Sequence, residues 1–446
     1  MLEKPIESIA LAILSELGYQ IRSFPPLLAD GDVPELLQTE LLSAKLRQFN
    51  PALPEQALEE ALRMLTRPSQ PSLMLNNRIL HRYLVEGVPV AYRMDGRVMH
   101  SSVRVLDFEQ ADNNSFQAVS QLTVIEGRNV RRPDIVIYVN GLPLGVIELK
   151  SAGVPNATIW SAHNQLQTYM EQIPSLFACN AVLVISDGLE ARIGTISSGR
   201  EWMQPWRDMD AVTRNGSGSR IKSGMTASKD EWREDGSRNK SGMTDGGSGS
   251  GTAGERIRAQ VTELVSQMEV LLRGVFAPRD FIRIIRYFIV FEETRAGIIK
   301  KLAGYHQFHA VNTAVERTAV ATSRDGDRRC GVIWHTQGSG KSLTMAFYAG
   351  RIVQHPALHN PTLVVLTDRN DLDDQLFRTF SACKDLIRQT PRQAEDRRHL
   401  RELLKVASGG VIFSTIQKFM PEIRGMDHPL LSERANIVVI ADEAHR

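Results

Sequence analysis

The chain opens with "MLEKPIESIALAILSELGYQ", in which acidic residues recur among apolar ones at the spacing of an amphipathic helix. Two apolar runs of strand length, Ile135–Val139 and Leu144–Leu149, flank Asn140-Gly141, a pair that favours a tight hairpin turn. Neither run alternates with polar residues, which predicts strands covered on both faces. Later the pattern changes to helix followed by repeated strand-then-helix units. Gly331–Trp334 reads as a strand, with a Gly-rich turn after it and an amphipathic helix from about Lys341. "PTLVVLTDRNDLDDQL" and "GGVIFSTIQKF" each read as strand, polar turn and helix, and "IVVIA" (Ile437–Ala441) as a further buried strand. Strands alternating with helices in this way predict a parallel sheet and an α/β fold.

Between the two patterns lies a break. Thr213 to Gly254 is dominated by Gly, Ser and scattered charges and carries an imperfect repeat, "SRIKSGMT" and "SRNKSGMT". Such a composition buries too little apolar surface to offset its ordering entropy, so residues 213–254 read as a disordered linker or insertion. Residues 1–212 and 255–446 then form two globular parts.

Composition narrows the class. At 446 residues, 42% hydrophobic and 23% charged, the sequence is that of an ordinary globular protein with room for several cores. A net charge of +2 leaves any nucleic-acid role to local patches. Cys179, Cys330 and Cys383 are far apart, which argues against a disulfide framework or zinc site and fits a reducing cytoplasm. No apolar run reaches membrane-spanning length, and the N-terminus does not read as a signal peptide.

The hairpin carries charge where charge is costly. Asp134 opens its first strand, and Glu148 and Lys150 lie on its second, two apart and therefore on one face. A two-residue loop at Asn140-Gly141 sets Asp134 opposite Ile147, turned away from Glu148. One more residue, in the loop or as a bulge, sets Asp134 opposite Glu148 beside Lys150. Two converging carboxylates suit Mg²⁺, which would bind a scissile phosphate and activate water. Lys150 would orient or deprotonate that water, and Arg131 and Arg132 would hold neighbouring phosphates.

The second constellation is "HTQGSGKSLTM". Gly338, Ser339 and Gly340 let backbone N–H groups face phosphate at a helix N-terminus. Lys341 would reach the β- and γ-phosphates of ATP, and Ser342 would ligate Mg²⁺. His335 departs from the usual P-loop by standing where its first Gly or Ala would be. "IVVIADEAH" ends a buried strand in Asp442 and Glu443. Asp442 would hold Mg²⁺ through water, and Glu443 would polarise the attacking water.

Pro-Asp followed by Glu-x-Lys, with Glu148 fourteen positions beyond Asp134, resembles the PD-(D/E)xK nuclease fold. In RecB-like members a Q-x₃-Y element follows the catalytic strands, and "NQLQTY" supplies Gln165 and Tyr169. Those members also place a metal-side Glu on an early helix, for which "LPEQALEEALRML" offers Glu60, with Glu59 as competitor. The P-loop, the two strand–helix units and the Asp-Glu-Ala-His strand look like motifs I, Ia, Ib and II of a superfamily 2 helicase with a RecA-like lobe. There Gln307 stands where that superfamily reads adenine.

A PD-(D/E)xK nuclease domain followed by a DEAH-box motor lobe resembles the restriction (R) subunit of type I restriction-modification enzymes. The resemblance implies Mg²⁺-dependent cleavage of duplex DNA and ATP-driven translocation. It also implies a complex with methyltransferase (M) and specificity (S) subunits, the former bringing S-adenosylmethionine. Motors of this kind have a second lobe with arginine fingers, so the chain reads as the front of a larger motor, with weak nucleotide binding and negligible turnover on its own. Two rival readings stand: a DNA-repair helicase-nuclease without methyltransferase partners, and a non-catalytic remnant that docks to a methyltransferase complex.

Overall fold

The computed structural model describes residues 3–23, 36–150, 158–187, 190–207, 267–295, 297–367, 370–420 and 430–442. The tract 213–254 lies outside them, as does Glu443.

The amphipathic opening forms α1 (Glu3–Glu16), which leads into β1 (Gln20–Ser23). Helices α2 (Thr39–Phe49), α3 (Glu55–Thr66) and α4 (Leu73–Glu86) follow, then a hairpin of β2 (Val88–Met94) and β3 (Arg97–Val103). The strands β4 (Phe116–Ser120), β5 (Val124–Glu126), β6 (Asn129–Arg131), β7 (Ile135–Val139) and β8 (Leu142–Leu149) precede α5 (Ile159–Gln172). Then come β9 (Val182–Ser186) and β10 (Ala191–Gly194). Six of these strands form one mixed sheet in the order β1-β4-β7-β8-β9-β10. Strand β4 runs parallel to β1, β9 runs parallel to β8, and the remaining neighbours are antiparallel.

Every residue of β7 and β8 is buried, as their unbroken apolar runs predicted. Alternation sorts them between two cores: Ile135, Ile137 and Val139 join the core on the α1 side, and Val136 and Tyr138 join the one under α5. Between the strands sits the predicted turn, with Asn140 at φ +52° and Gly141 at φ +84°. Two successive left-handed residues suit the right-handed twist of a hairpin. The Asn140 side chain is fully buried. Its Nδ2 donates to the Val105 carbonyl and to Asn114 Oδ1, and its Oδ1 accepts from the Ser115 N–H.

The second half begins with helix α6 (residues 267–276) and α7 (Pro278–Tyr287), followed by a hairpin of β11 (Ile289–Thr294) and β12 (Gly297–Leu302). Helices α8 (Tyr305–Ala321) and α9 (Lys341–Val353) come next, with β13 (Thr362–Thr367) and α10 (Asn370–Ala382) after them. The remaining elements are α11 (Lys384–Ile387), β14 (Arg392–Gln393), α12 (Arg397–Leu404), β15 (Val411–Thr415) and β16 (Ile437–Ala441). The predicted parallel sheet is present, ordered β14-β15-β13-β16. After β15 the described chain makes a short 3-10 turn, Ile416–Phe419, in place of the predicted helix.

One predicted strand does not form. Gly331–Trp334 is irregular, and Val332 and Trp334 are 81% and 69% exposed. A strand needs a neighbour to take its N–H and C=O groups. Strand β16 is the sheet edge, and none of the described strands pairs with residues 331–334.

The two sheets share one apolar core. It runs from α1 through Leu271, Leu272, Val275 and Phe276 of α6 and Phe281, Ile284 and Ile285 of α7 to Leu363 and Val365 of β13. Gly145 of β8 lies where the sheet meets α6. A Cβ there would meet the Ile137 side chain at 3.2 Å and the Phe276 ring at 3.4 Å.

Replacing Asn140 by Ala removes three buried hydrogen bonds and leaves at positive φ a residue that adopts the left-handed region less readily than Asn. We expect a loss of about 2–4 kcal/mol in urea unfolding. A loss under ~0.5 kcal/mol would mean that the turn does not set this hairpin.

Candidate active site: a carboxylate hairpin and a phosphate loop

The hairpin register decides which side chains meet. Val139 pairs with Leu142 and Tyr138 with Pro143, the register of a two-residue loop. Ile137 then pairs with Gly145 and Ile135 with Ile147, so Leu144 is an extra residue, a β-bulge. One step beyond the Ile135–Ile147 pair, Asp134 stands opposite Glu148. The bulge also turns Val146 and Glu148 towards α5, where Tyr169 and Leu166 are buried.

At the strand ends Asp134 Oδ2 accepts the Leu149 N–H at 2.8 Å, and Asp134 Oδ1 accepts from Gln121 Nε2 at 3.2 Å. Glu148 is 1% exposed. Its Oε1 accepts from Lys150 Nζ at 3.1 Å, while its Oε2 has no protein partner. Burial, then the neighbouring Asp134 charge, push the Glu148 carboxyl up to about 8, against the pull of Lys150. The Lys150 backbone is held to β9 through the Ser186 carbonyl at 2.8 Å. Tyr169 is pushed above its ordinary range by burial and by Glu148, and its hydroxyl accepts from Gln165 Nε2. The Q-x₃-Y pair is thus internally bonded on the helix facing the carboxylates. Arg131 donates to Gln172 Oε1 at 2.6 Å and Arg132 to the Gln121 carbonyl at 2.9 Å, so both brace the rim of the site.

The helix glutamate of this site differs from the predicted one. Glu60 is paired with Arg63 one turn along α3, and Glu59 is exposed. Helix α3 packs on α2 and the β2–β3 hairpin, away from the six-stranded sheet. The glutamate brought to the carboxylates is Glu7 of α1, whose Oε2 accepts from Gln121 Nε2 at 3.0 Å, the same nitrogen that donates to Asp134. Gln121 takes φ +55°, a conformation few side chains adopt, to make this bridge. The signal was the apolar face of the first helix, which packs it directly on the sheet. Sequence spacing could not show Gln121.

The donors fit Mg²⁺: hard carboxylate oxygens, one of them buried and without a protein partner. Among the described residues no three His, Cys, Asp or Glu side chains cluster at metal-binding distance. Two carboxylates plus water are what Mg²⁺ commonly takes.

The phosphate loop follows the predicted geometry at its helix end. Gly338 and Gly340 both take φ +79°, and Lys341 and Ser342 open α9. Such left-handed glycines turn successive N–H groups to one side, as an anion nest requires. Gln307 is buried and its amide is committed to this loop. Nε2 donates to the Gly340 carbonyl at 3.1 Å and to Thr344 Oγ1 at 3.2 Å, and Oε1 accepts the Gly304 N–H at 2.9 Å. Adenine reading would require those bonds to exchange. His306 Nε2 donates to the Ser339 carbonyl at 3.1 Å, and His335 is buried against the His306 ring. Burial, His306 and Lys341 hold His335 below its ordinary value, so it stands neutral beside the loop. Asp442 follows β16, its N–H bonded to the Leu366 carbonyl at 3.0 Å, at the carboxyl ends of the parallel strands where such sheets bind ligands.

An α/β body with a carboxylate-bearing hairpin, joined to a lobe built on a parallel sheet with a Gly-rich turn at a helix N-terminus, is the arrangement to set beside known proteins. Residues 306–446 match the SWI2/SNF2 ATPase family, and residues 1–202 match the family described as type I restriction enzyme R protein N terminus. The chain is 41% identical to the type I restriction enzyme HindI endonuclease subunit of Haemophilus influenzae, over 100% of this chain and 39% of that protein. It is 30% identical to the MjaIXP endonuclease subunit of Methanocaldococcus jannaschii, over 99% of this chain and 39% of that one. A Staphylococcus aureus type I endonuclease subunit is 28% identical over 76% of this chain and 30% of its own length. The chain belongs to the R-subunit family of type I restriction enzymes. It spans about 39% of the length of the first two relatives. None of the described helices is long and apolar enough to cross a membrane.

The raised Glu148 carboxyl carries a pH signature. The folded state holds its proton up to about 8, whereas an unfolded Glu releases it near 4.5. Folded protein therefore binds more protons between these values, and stability in EDTA should fall as pH rises through that window. The slope should approach ~1.4 kcal/mol per pH unit, one proton. Glu148→Gln should flatten it. Identical pH profiles of unfolding for the two proteins would show that Glu148 ionises freely.

Proposed function

We propose that this chain is the front of a type I site-specific deoxyribonuclease, in which Mg²⁺-dependent cleavage of duplex DNA is coupled to ATP-driven translocation. The observation that carries the reading is the bulged register that sets Asp134 opposite Glu148 beside Lys150. It supports a PD-(D/E)xK nuclease in residues 1–212, ahead of a RecA-like superfamily 2 lobe in 255–446. Relatives named as type I endonuclease subunits support the same reading.

In this reading Asp134 and Glu148 hold Mg²⁺, and Glu7 steadies Asp134 through Gln121. Bound there, Mg²⁺ supplies a Lewis acid for the scissile phosphate and a water of lowered pKa. Lys150 orients the attacking water and offsets phosphate charge. Gln165 and Tyr169 close the opposite wall and exclude bulk water. The N–H groups of Gly338, Ser339 and Gly340 cradle ATP phosphates, Lys341 reaches the outer phosphates, and Ser342 and Asp442 hold the nucleotide's Mg²⁺. Glu443, outside the described residues, is assigned the attacking water. Methyltransferase (M) and specificity (S) subunits complete the enzyme in the cytoplasm, and S-adenosylmethionine enters through the former. The DNA sequence read belongs to the specificity subunit.

In the complete enzyme, Asp134→Ala or Glu148→Ala should abolish DNA cleavage, by at least about 10³-fold, with DNA-stimulated ATP hydrolysis retained. Lys341→Ala should remove ATP hydrolysis and, with it, translocation. Parallel loss of both activities in the Asp134 variant would contradict two separate sites.

ATP turnover by the 446-residue chain itself should be negligible, with or without duplex DNA. A second lobe's arginine is worth roughly 10³–10⁵ in rate in enzymes of this chemistry. Robust DNA-stimulated hydrolysis that disappears in Lys341→Ala would show that the lobe suffices alone.

A further inference from the structure

We infer that Lys300 is a positioning residue through which the nuclease-like body sets the shape of the phosphate loop. The inference rests on the reading of that loop as the nucleotide site.

Lys300 lies in β12 and is 2% exposed, yet its ammonium meets no carboxylate. Nζ donates to Asn77 Oδ1 of α4 at 2.9 Å and to the Asn180 carbonyl, and it sits 5.4 Å from the centre of the Phe291 ring. The titratable neighbours are His81, whose ring packs on Phe291, and the buried Cys179. Asn77 is locked in turn, its Nδ2 donating to the carbonyls of Phe177, Ala178 and Asn180. The Lys300 backbone is clamped as well: its N–H donates to Ser197 Oγ, and its carbonyl accepts from the hydroxyls of Ser197 and Thr195. Side chain and main chain of one residue are thus both fastened to the N-terminal body. A buried ammonium with only neutral partners is a poor device for stability, because an apolar side chain of like volume avoids the desolvation cost.

Both ends of this joint reach a site. On one side Asn180 lies just before β9, which pairs with β8 so that Ile185 stands beside Glu148. On the other, β12 runs into Gly304, whose N–H is capped by Gln307, and Gln307 in turn donates to Gly340 and Thr344. Gln204 of the N-terminal half presses on Gly304 closely enough that a Cβ there would lie 2.5 Å from its Oε1. Lys300 therefore fixes where Gln307 and His306 meet the loop carbonyls.

The test is nucleotide binding by the 446-residue chain, read with a fluorescent ATP analogue and Mg²⁺, in Lys300→Met, Ser197→Ala, Gln307→Ala and the Lys300→Met/Gln307→Ala pair. Lys300→Met should weaken binding about tenfold, the scale of one or two lost hydrogen bonds, with a melting temperature within roughly 3 °C of the parent. Ser197→Ala, a milder change certain to leave the core intact, should weaken it about threefold. In the Gln307→Ala background Lys300→Met should add nothing, since the route runs through Gln307. The inference is overturned if Lys300→Met and Ser197→Ala bind like the parent, or if the Lys300 effect persists in full without Gln307. Should Lys300→Met fail to fold, Ser197→Ala with and without Gln307→Ala decides by the same criteria. Lys341→Ala separates the two readings: unchanged binding there would mean that the loop is not the nucleotide site.

Discussion

Leu144 is one residue more than the β7–β8 ladder can pair, and the meeting of Asp134 with Glu148 depends on that surplus. Without it, Asp134 would face Ile147 and the two carboxylates would lie on opposite faces of the sheet. The bulge holds because the turn is anchored by the buried Asn140 and because Leu142 and Leu144 fill one core before Ile147 and Leu149 resume it. Apolar packing thus forces a pair of like charges together. The cost appears as the raised carboxyl of Glu148.

The same logic of fastening joins the halves. A continuous apolar core passes beneath both sheets, and polar contacts join the halves around it. Arg78 reaches Glu293 and Asp385, Arg286 reaches Glu109 and Arg273 reaches Glu16, but the carboxylates of these pairs are exposed, so each contributes little. The directional contacts are the buried ones around Lys300. Apolar surface holds the parts together without choosing a register, whereas Asn77, Ser197 and Lys300 admit a single one.

Local pattern exposed much of this fold. The hairpin runs, the turn at Asn140-Gly141, the helix from Lys341 and the strands at 362–367, 411–415 and 437–441 are all signals contained within a dozen neighbouring residues. Even the alternative registers could be weighed on paper by parity. What escaped is what depends on distant partners. Glu7 reaches the site only through Gln121, a residue in a strained turn far along the chain, while Glu60 had the better sequence context and is spent on Arg63. Gly331–Trp334 has strand composition, but composition cannot supply a neighbouring strand. Gln307 was read for its place in the sequence, and its amide turned out to be bonded to the loop it precedes.

These two kinds of site solve opposite problems of charge. In the proposed reading the Gly-rich loop would present backbone N–H groups and Lys341 to anions. Its glycines take positive φ with ordinary backbone bonding around them. The carboxylate site is the reverse: with burial around it and Asp134 beside it, Glu148 holds its proton up to about 8. In the proposed nuclease reading a cation bound there would displace that proton, so its affinity would rise with pH up to about 8 and level off above it. The extra residue at Leu144 thus creates both the carboxyl pair and its proton cost.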